Sequence, residues 1–458
     1  MNDLSIKRDP ETYVNQGRVA SLLSPLFWTF AVLTVVHRTW VMPLNPLITD
    51  DYTTVWSAVR RFVDGAPVYT ENYLDVDPHY LYSPGGTLLL APMTWFGDYD
   101  MNRLFFVTVQ SAAIVAAIVI LLRWFGIGWK SWVIPVVLTA AYHAEPVINT
   151  LSFTNVNGSL LLAEVLFLLF VVKRKNILAG IIIGLAITVK PVVAPLLFIP
   201  FMRKQWTTVL SAIAVPVIAN AAAWPLMNRA SDYVNVTMPY LGVTRDYFNS
   251  SLGGQLLWLG APEPLILMWR AAFGLVVAVA LLLLLRWMHR DEVFWVTTTA
   301  GLLMVGVFFL SSLGQQYYSM LILPMILSVV RPLRGVVDAY GAPVKTVVAN
   351  WPAATGITMC FFYGSWVLPI APIFSGWINI VIATIGWGII LLAIMGCMIR
   401  WTIEDHAAGI DWFGRQPATT RGRKHGDDST NSTGSVATAA TLDDDSQEGT
   451  PHVHMETE

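Results

Sequence analysis

Apolar runs of about twenty residues recur along this chain, and they constrain its fold more than any other feature. They lie near 25–42, 103–123, 131–148, 150–172, 207–227, 263–286, 293–312, 316–331, 344–366 and 377–400. Each approaches the ~20 residues that carry a helix across a ~30 Å hydrocarbon core. No water is present there to satisfy open backbone groups, so such runs fold as helices. The expectation is an all-α polytopic membrane protein with about ten full spans. Two runs depart from the pattern. Residues 87–97 are too short to cross, and 177–203 are too long, with Lys190-Pro191 in the middle. A proline at an apex fits two half-helices forming a re-entrant hairpin with Lys190 near its tip.

Basic residues sort the ends of these runs. Lys7, Arg8 and Arg18, then Arg123 and Lys130, Lys173 to Lys175, Arg203 and Lys204, Arg286 and Arg290, and Arg331 and Arg334 mark the cytoplasmic side. Ten spans place both termini in the cytoplasm, with Arg38 as the clearest exception to the charge pattern. The domain reading is a cytoplasmic N-terminal segment (1–24), a transmembrane catalytic domain (25–402) and a polar cytoplasmic tail (403–458). That tail, rich in Ser, Thr, Asp and Gly, has too few apolar residues to fold. The first run lacks a small-residue cleavage signature and reads as a retained helix. Cys360 and Cys397 fall in apolar runs and read as small hydrophobes. The net charge of −2 gives no sign of a nucleic-acid partner.

This topology gathers the segments richest in polar and aromatic residues, 43–86, 228–262 and 313–318, on the non-cytoplasmic face. The first opens with Asp50-Asp51 and an amphipathic pattern, in which Val55, Trp56, Val59, Phe62 and Val63 share one stripe. Such a helix lies in a membrane interface, where carboxylates meet a substrate with a lipid tail and polar head. The alternative is that Thr49 and Asp50 simply cap the helix. Farther on, Asp75, Asp77, His79, Tyr80 and Tyr82 offer groups for sugar hydroxyls, a phosphate or a cation. The Asp75, Asp77, His79 spacing admits a hard divalent cation, although one alternating cluster is weak evidence. In the second segment Arg245 supplies a planar fork for phosphate and Asn249 suits hydroxyl recognition. An Arg245–Asp246 surface pair is the bland alternative. The third, Gln315-Gln316-Tyr317-Tyr318, reads as interfacial anchoring.

Lys190 is the residue that hydrocarbon tolerates least. It requires a polar cavity or an anion, either a lipid-linked phosphate or a carboxylate such as Glu164. Asn155 and Asn157 read as hydrogen bonds between helices unless they line that cavity.

The stretch Asp51-Tyr52, Trp56, Ala58, Gly65, Pro67 and Tyr69 resembles the GT-C glycosyltransferases, in particular the polyprenol-phosphate-dependent mannosyl- and arabinosyltransferases of actinobacteria. Ile48 to Asp51, Val76 to Tyr82, Phe153 to Gly158, Lys190-Pro191 and Arg245 to Ser251 are similar, in order, to the branching α-(1→3)-arabinofuranosyltransferases of cell-wall arabinan synthesis. The likeness spans roughly residues 28–400, and Ser83 departs from the expected Tyr-Pro-Pro-Gly. It implies a GT-C-like fold in the plasma membrane with an extracytoplasmic site. It implies inverting transfer from decaprenylphosphoryl-arabinose to a 3-hydroxyl of arabinan, with other cell-wall enzymes as further partners. On this reading Asp51 is the general base and Asp50 its fallback. Lys190, Arg245 and His79 hold donor phosphate; Tyr80, Tyr82, Asp77 and Asn249 contact sugar. No metal ligand is assigned. The lipid tail needs an apolar groove that no sequence pattern locates.

Three rivals stay open. A polyprenyl-phosphate-mannose-dependent α-mannosyltransferase would share architecture and base. A transporter or flippase would put Lys190 in its pathway, against the lack of an internal repeat. A membrane scaffold would leave Lys190 and the acidic pair unexplained.

Overall fold

The computed structural model describes residues 18–43, 50–73, 78–331, 346–364, 367 and 369–412. Asp75 and Asp77, and residues 413–458 of the polar tail, lie outside them. Every regular element among the described residues is helical. The N-terminal half contains α1 (Arg18–Val36), α2 (Asp50–Val63), α3 (Pro84–Leu90), α4 (Tyr99–Trp124), α5 (Val133–His143), α6 (Glu145–Ser152), α7 (Asn157–Val172) and α8 (Asn176–Val189). Next come α9 (Phe198–Met202), α10 (Trp206–Ala223), α11 (Met238–Leu241), α12 (Leu252–Trp258), α13 (Glu263–Leu284), α14 (Glu292–Leu310), α15 (Leu323–Leu327), α16 (Trp351–Phe361) and α17 (Pro372–Ala407).

Five of these, α4, α10, α13, α14 and α17, are long and apolar enough to cross a membrane. Other runs expected as full spans resolve into shorter pieces for local reasons. The run at 131–148 breaks at Ala144, where the backbone turns extended and α6 restarts with Pro146 in its first turn. Residues 316–331 start as a 3-10 helix to Ile322 and continue as the short α15, with Pro324 in its first turn. Elsewhere the starts are chemically marked. Asp98, Asp291 and Asn350 accept the third backbone N–H of α4, α14 and α16, and Ser83 caps α3 with Pro84 behind it.

The long run around Lys190 folds as a hairpin. Helix α8 stops at Val189, Lys190 is extended (φ −134°, ψ 102°), and Pro191–Leu197 continue as a 3-10 helix into α9. The returning end is fixed by Gln205, whose Nε2 donates to the carbonyl of Val171 at 3.0 Å. Residue 205 therefore stands beside the end of α7, where α8 begins. At ~1.5 Å per residue the fourteen residues of α8 rise ~21 Å, short of a full crossing.

One end of the bundle is held by ion pairs between elements far apart in sequence. Arg203 pairs with Glu292, Arg331 with Asp291, and both Arg286 and Arg290 with Asp405 near the end of α17. Helices α10 and α13 turn exposed stripes outward, with Leu210, Ile213 and Val217 on one and Leu267, Leu275 and Leu282 on the other. Apolar surface of this extent is what a lipid-facing helix presents. The start of the apolar stripe of α2 packs on protein, while Val63 at its end is exposed. Tyr52 and Val59 are buried, and the rings of Tyr52 and Trp56 each stand 5.2 Å from Tyr99.

Gly158 sets the distance between α4 and α7, since a Cβ there would collide with the Gln110 carbonyl and lie 3.1 Å from Ile114 Cγ1. Replacing Gly158 with Val is expected to cost about 1–3 kcal/mol by overpacking. A lowered unfolding midpoint of the solubilised protein checks this.

Candidate active site

The expected polar face is assembled at the end of the bundle opposite the ion pairs. Helix α2 begins at Asp50, and Asp51 stands half-buried in its first turn. The Tyr317 hydroxyl donates to Asp51 Oδ2 at 3.3 Å. Lys190, Tyr82 and Tyr318 lie within electrostatic reach of the same carboxylate. Loop, hairpin tip and 3-10 segment thus converge on one acid.

Lys190 is held by an amide and a ring face among the described residues. Its Nζ donates to Asn157 Oδ1 at 2.9 Å and stands 4.8 Å from the centroid of the Tyr318 ring. Both contacts suit a partly dehydrated ammonium. Glu164 sits on α7 two turns beyond Asn157, ~10 Å along the axis, fully buried with neither oxygen hydrogen-bonded. Asn157, read from sequence as packing, is thus a direct partner of Lys190. The helix break is what aims the lysine: a continued α8 would have spent that turn on its own backbone.

A second cationic group stands on the loop before α12. Arg245 lies over Tyr240 at 5.9 Å and Tyr247 at 5.5 Å, and its charge reaches Tyr318. Tyr240 carries the arrangement on to His79, donating or accepting at Nδ1 across 3.2 Å, while the other ring nitrogen meets the Asn72 carbonyl at 2.9 Å. His79 also stacks on Tyr73 at 5.0 Å. Lys190, Arg245 and Asp51 therefore all lie within reach of Tyr318, with His79 one aromatic ring farther out.

The remaining sequence candidates are structural in their contacts. Tyr80 is fully buried, its hydroxyl 2.7 Å from Thr87 Oγ1. Asn249 is 1% exposed and uses its whole amide on backbone. Its Nδ2 donates to Arg245 O and Ser312 O, and its Oδ1 accepts from Ser251 N and Gly314 N, all at 2.8–2.9 Å. That knot holds the Arg245 loop against the turn leading to Tyr317. The same loop stores strain, with Phe248 at φ 43° and its carbonyl held by Gln315 Nε2 at 2.6 Å. Asp50 is placed at the helix start only, and Asp77 falls outside the described residues.

Sequence reading missed Tyr317 and Tyr318 as site residues because paired tyrosines are common at interface depth. It also missed Tyr240, whose segment carried no motif. Among the described residues no three His, Cys, Asp or Glu gather as a metal site. A cavity of about 280 Å³ opens beside the hairpin tip, lined by Ile187, Thr188, Pro191, Asn220, Trp224 and Tyr233 among others.

Comparison with known proteins bears on this arrangement. Residues 80–312 match glycosyltransferase family 87. An α-(1→3)-arabinofuranosyltransferase of Corynebacterium glutamicum is 43% identical, over 85% of this chain and 90% of that protein. One from Mycobacterium tuberculosis is 38% identical, over 81% of this chain and 84% of that protein. A polyprenol-phosphate-mannose-dependent α-(1-2)-phosphatidylinositol mannoside mannosyltransferase of Mycolicibacterium smegmatis is 24% identical, over 54% of this chain and 61% of that protein.

Asn249→Ala is expected to destabilise the protein by about 2–3 kcal/mol, because buried backbone groups lose their partners. Faster amide hydrogen exchange across 245–251 and 312–314 is the measurement that checks it.

Proposed function

The chain belongs to glycosyltransferase family 87, and from that membership we propose that it transfers arabinofuranose from decaprenylphosphoryl-arabinose to a 3-hydroxyl of arabinan. The observation that carries the reading is the convergence of one acid and two cations on a single face: Asp51 with Lys190 and Arg245 around Tyr318. Inverting transfer needs a base at the acceptor and positive charge at the departing phosphate. The identity of 38–43% with arabinofuranosyltransferases over most of the chain favours arabinose as the sugar. Mannose is the alternative, supported only by the more distant relative.

In the reaction proposed, the acceptor O3 attacks the anomeric carbon of the β-linked donor from the face opposite the phosphate. The new C–O bond forms as the bond to the phosphate oxygen breaks, and the product is α-linked. Asp51 takes the proton from O3. Lys190 and Arg245 compensate the charge gathering on the phosphate, with His79 as the next nearest candidate. Asp50 orients the acceptor; Tyr82 stands near enough to Asp51 to touch a bound sugar. Tyr80 and Asn249 contribute by shaping the walls, and Asp77 remains a sugar contact on sequence grounds. A divalent cation is a further proposal that rests on sequence spacing alone.

The polyprenyl tail lies, in this reading, in the cavity between α8 and α10. Two features support it: the cavity adjoins Lys190-Pro191, and α10 turns apolar residues outward toward the bilayer. About ten crossings, cytoplasmic termini and an extracytoplasmic site complete the proposal, supported by the clustering of basic residues at the ion-paired end.

Purified enzyme, given a synthetic arabinan oligosaccharide and either polyprenyl-phosphate arabinose or mannose, is expected to form an α-(1→3)-arabinosyl product. Asp51→Asn should lower kcat by at least ~10³-fold while donor binding survives, because shape is kept and the base removed. Mannosyl transfer alone would redirect the substrate; no transfer from either donor by folded protein would favour a transporter or scaffold. Ile187→Trp, which narrows the cavity, should raise KM for the lipid donor several-fold with little change in kcat.

A further inference from the structure

Away from the acid and its cations, a second groove of about 350 Å³ follows the seam between α13 and α14. It is lined by Val277 of α13 and by Leu303, Gly306, Val307, Leu310 and Ser311 at the end of α14. Those last five recur every three or four residues, so they form one stripe turned toward α13. A Cβ at Gly306 would stand 3.2 Å from Val277 Cγ2, and the glycine thus lets the two helices close beneath the groove. From Leu303 to Ser311 the stripe spans ~12 Å. That is under half of a ~30 Å hydrocarbon core, the share that one leaflet occupies.

Arg270 stands seven residues before Val277, two turns up the same face of α13. Its Nη2 donates to the Ser311 carbonyl at 3.1 Å, at the end of the groove, and to Thr244 Oγ1 at 3.0 Å. The guanidinium lies against Gly253, where a Cβ would collide with it. Its Nε is buried with no acceptor among the described residues. Arg203, Arg286, Arg290 and Arg331 all pair with carboxylates, whereas the bonds of Arg270 go to neutral oxygens. A cation in that state at the edge of hydrocarbon favours an anion beside it.

The depth fits a lipid headgroup. Arg270 and Arg286 are separated by α helix to Leu284 and then a 3-10 turn, ~25 Å along the axis. With Arg286 ion-paired at one end of the bundle, Arg270 reaches the opposite edge of a ~30 Å core. Trp269 beside it is exposed, as interfacial tryptophans are. A basic group between membrane helices at this level suits a lipid phosphate.

We propose that the α13–α14 groove is a binding site for an anionic glycerophospholipid of the bilayer. Its phosphate sits at Arg270, and one acyl chain lies along Val277, Gly306 and Leu303. The site is separate from the cavity between α8 and α10 and does not depend on the glycosyl transfer.

Native mass spectrometry of the full chain in detergent tests this. The probes are phosphatidylglycerol, diacylglycerol with the same acyl chains, and polyprenyl phosphate, given to wild type, Arg270→Gln and Val307→Trp. Wild type is expected to retain one phosphatidylglycerol at least ~10-fold more tightly than diacylglycerol, and each variant to weaken it by ~10-fold or more. Val307→Trp fills the groove and leaves Arg270 its bonds, so it decides the matter even where Arg270→Gln does not fold. Four results overturn the proposal. Diacylglycerol held as tightly removes phosphate recognition. Phosphatidylglycerol binding unchanged in Val307→Trp puts the lipid elsewhere. A lowered unfolding midpoint in Arg270→Gln with unchanged lipid binding makes the arginine a pin for the Thr244 loop alone. Polyprenyl phosphate that loses more affinity than phosphatidylglycerol in Val307→Trp gives the groove to the carrier.

Discussion

A lysine beside a helix break within an apolar run is the constraint on which the rest of this structure turns. An ammonium in hydrocarbon is among the costliest groups a helix can carry, so everything near Lys190 is arranged to make it tolerable. The break at Pro191 frees the lysine from the helical wall, Asn157 gives it an oxygen, and Tyr318 gives it a ring face. Each of those partners comes from a different element, which forces α7, the hairpin and the 3-10 segment to meet. The meeting point then sits beside the first turn of α2, where Asp51 stands. Removing the lysine would relieve the cost and, with it, the reason for the convergence.

The aromatic groups around this point do two kinds of work. Tyr317 and Tyr318 touch charged groups, while Tyr73 and Tyr240 sandwich His79 and extend the site toward Arg245. Phenols suit such a boundary because they offer a face to a cation and an edge hydroxyl to a carboxylate. The loops that carry them are pinned by amides, above all Asn249, whose four bonds to backbone leave nothing loose between Arg245 and Gly314.

Much of this was legible in residue order, and the limits have physical causes. Apolar length revealed a helical membrane protein, and the Lys190-Pro191 interruption revealed the hairpin, because both are statements about the backbone and its solvent. Periodicity marked the α2 stripe without saying what covers it: Tyr99 packs on Tyr52 and Trp56 at its start, and Val63 stays exposed. Hydropathy reads 131–148 and 316–331 as continuous, whereas the helix stops at Ala144 in the first and changes from 3-10 to α at Leu323 in the second. Lys190 was recognisable because a charge in an apolar run has few excuses. Asn157 and Tyr317 were not, since amides and interfacial tyrosines are ordinary in membranes and their partners lie 33 and 266 residues away. Asn249 was read from sequence as a sugar contact, and not as a knot that leaves its amide no spare bond.

Helix α17 has 36 residues, ~54 Å at 1.5 Å per residue, against a hydrocarbon core of ~30 Å. A helix so much longer than the bilayer has no single depth at which its apolar surface is best matched; it can slide or tilt at little cost. Asp405 removes that freedom. By accepting from Arg286 and Arg290, in the turns that follow α13, it works like a pawl on a ratchet. Slippage by one notch would leave guanidinium groups stranded. The depth of the last helix, and through Ser250 and Thr384 the seat of the Arg245 loop, is thereby set by electrostatic indexing at the far side of the bundle.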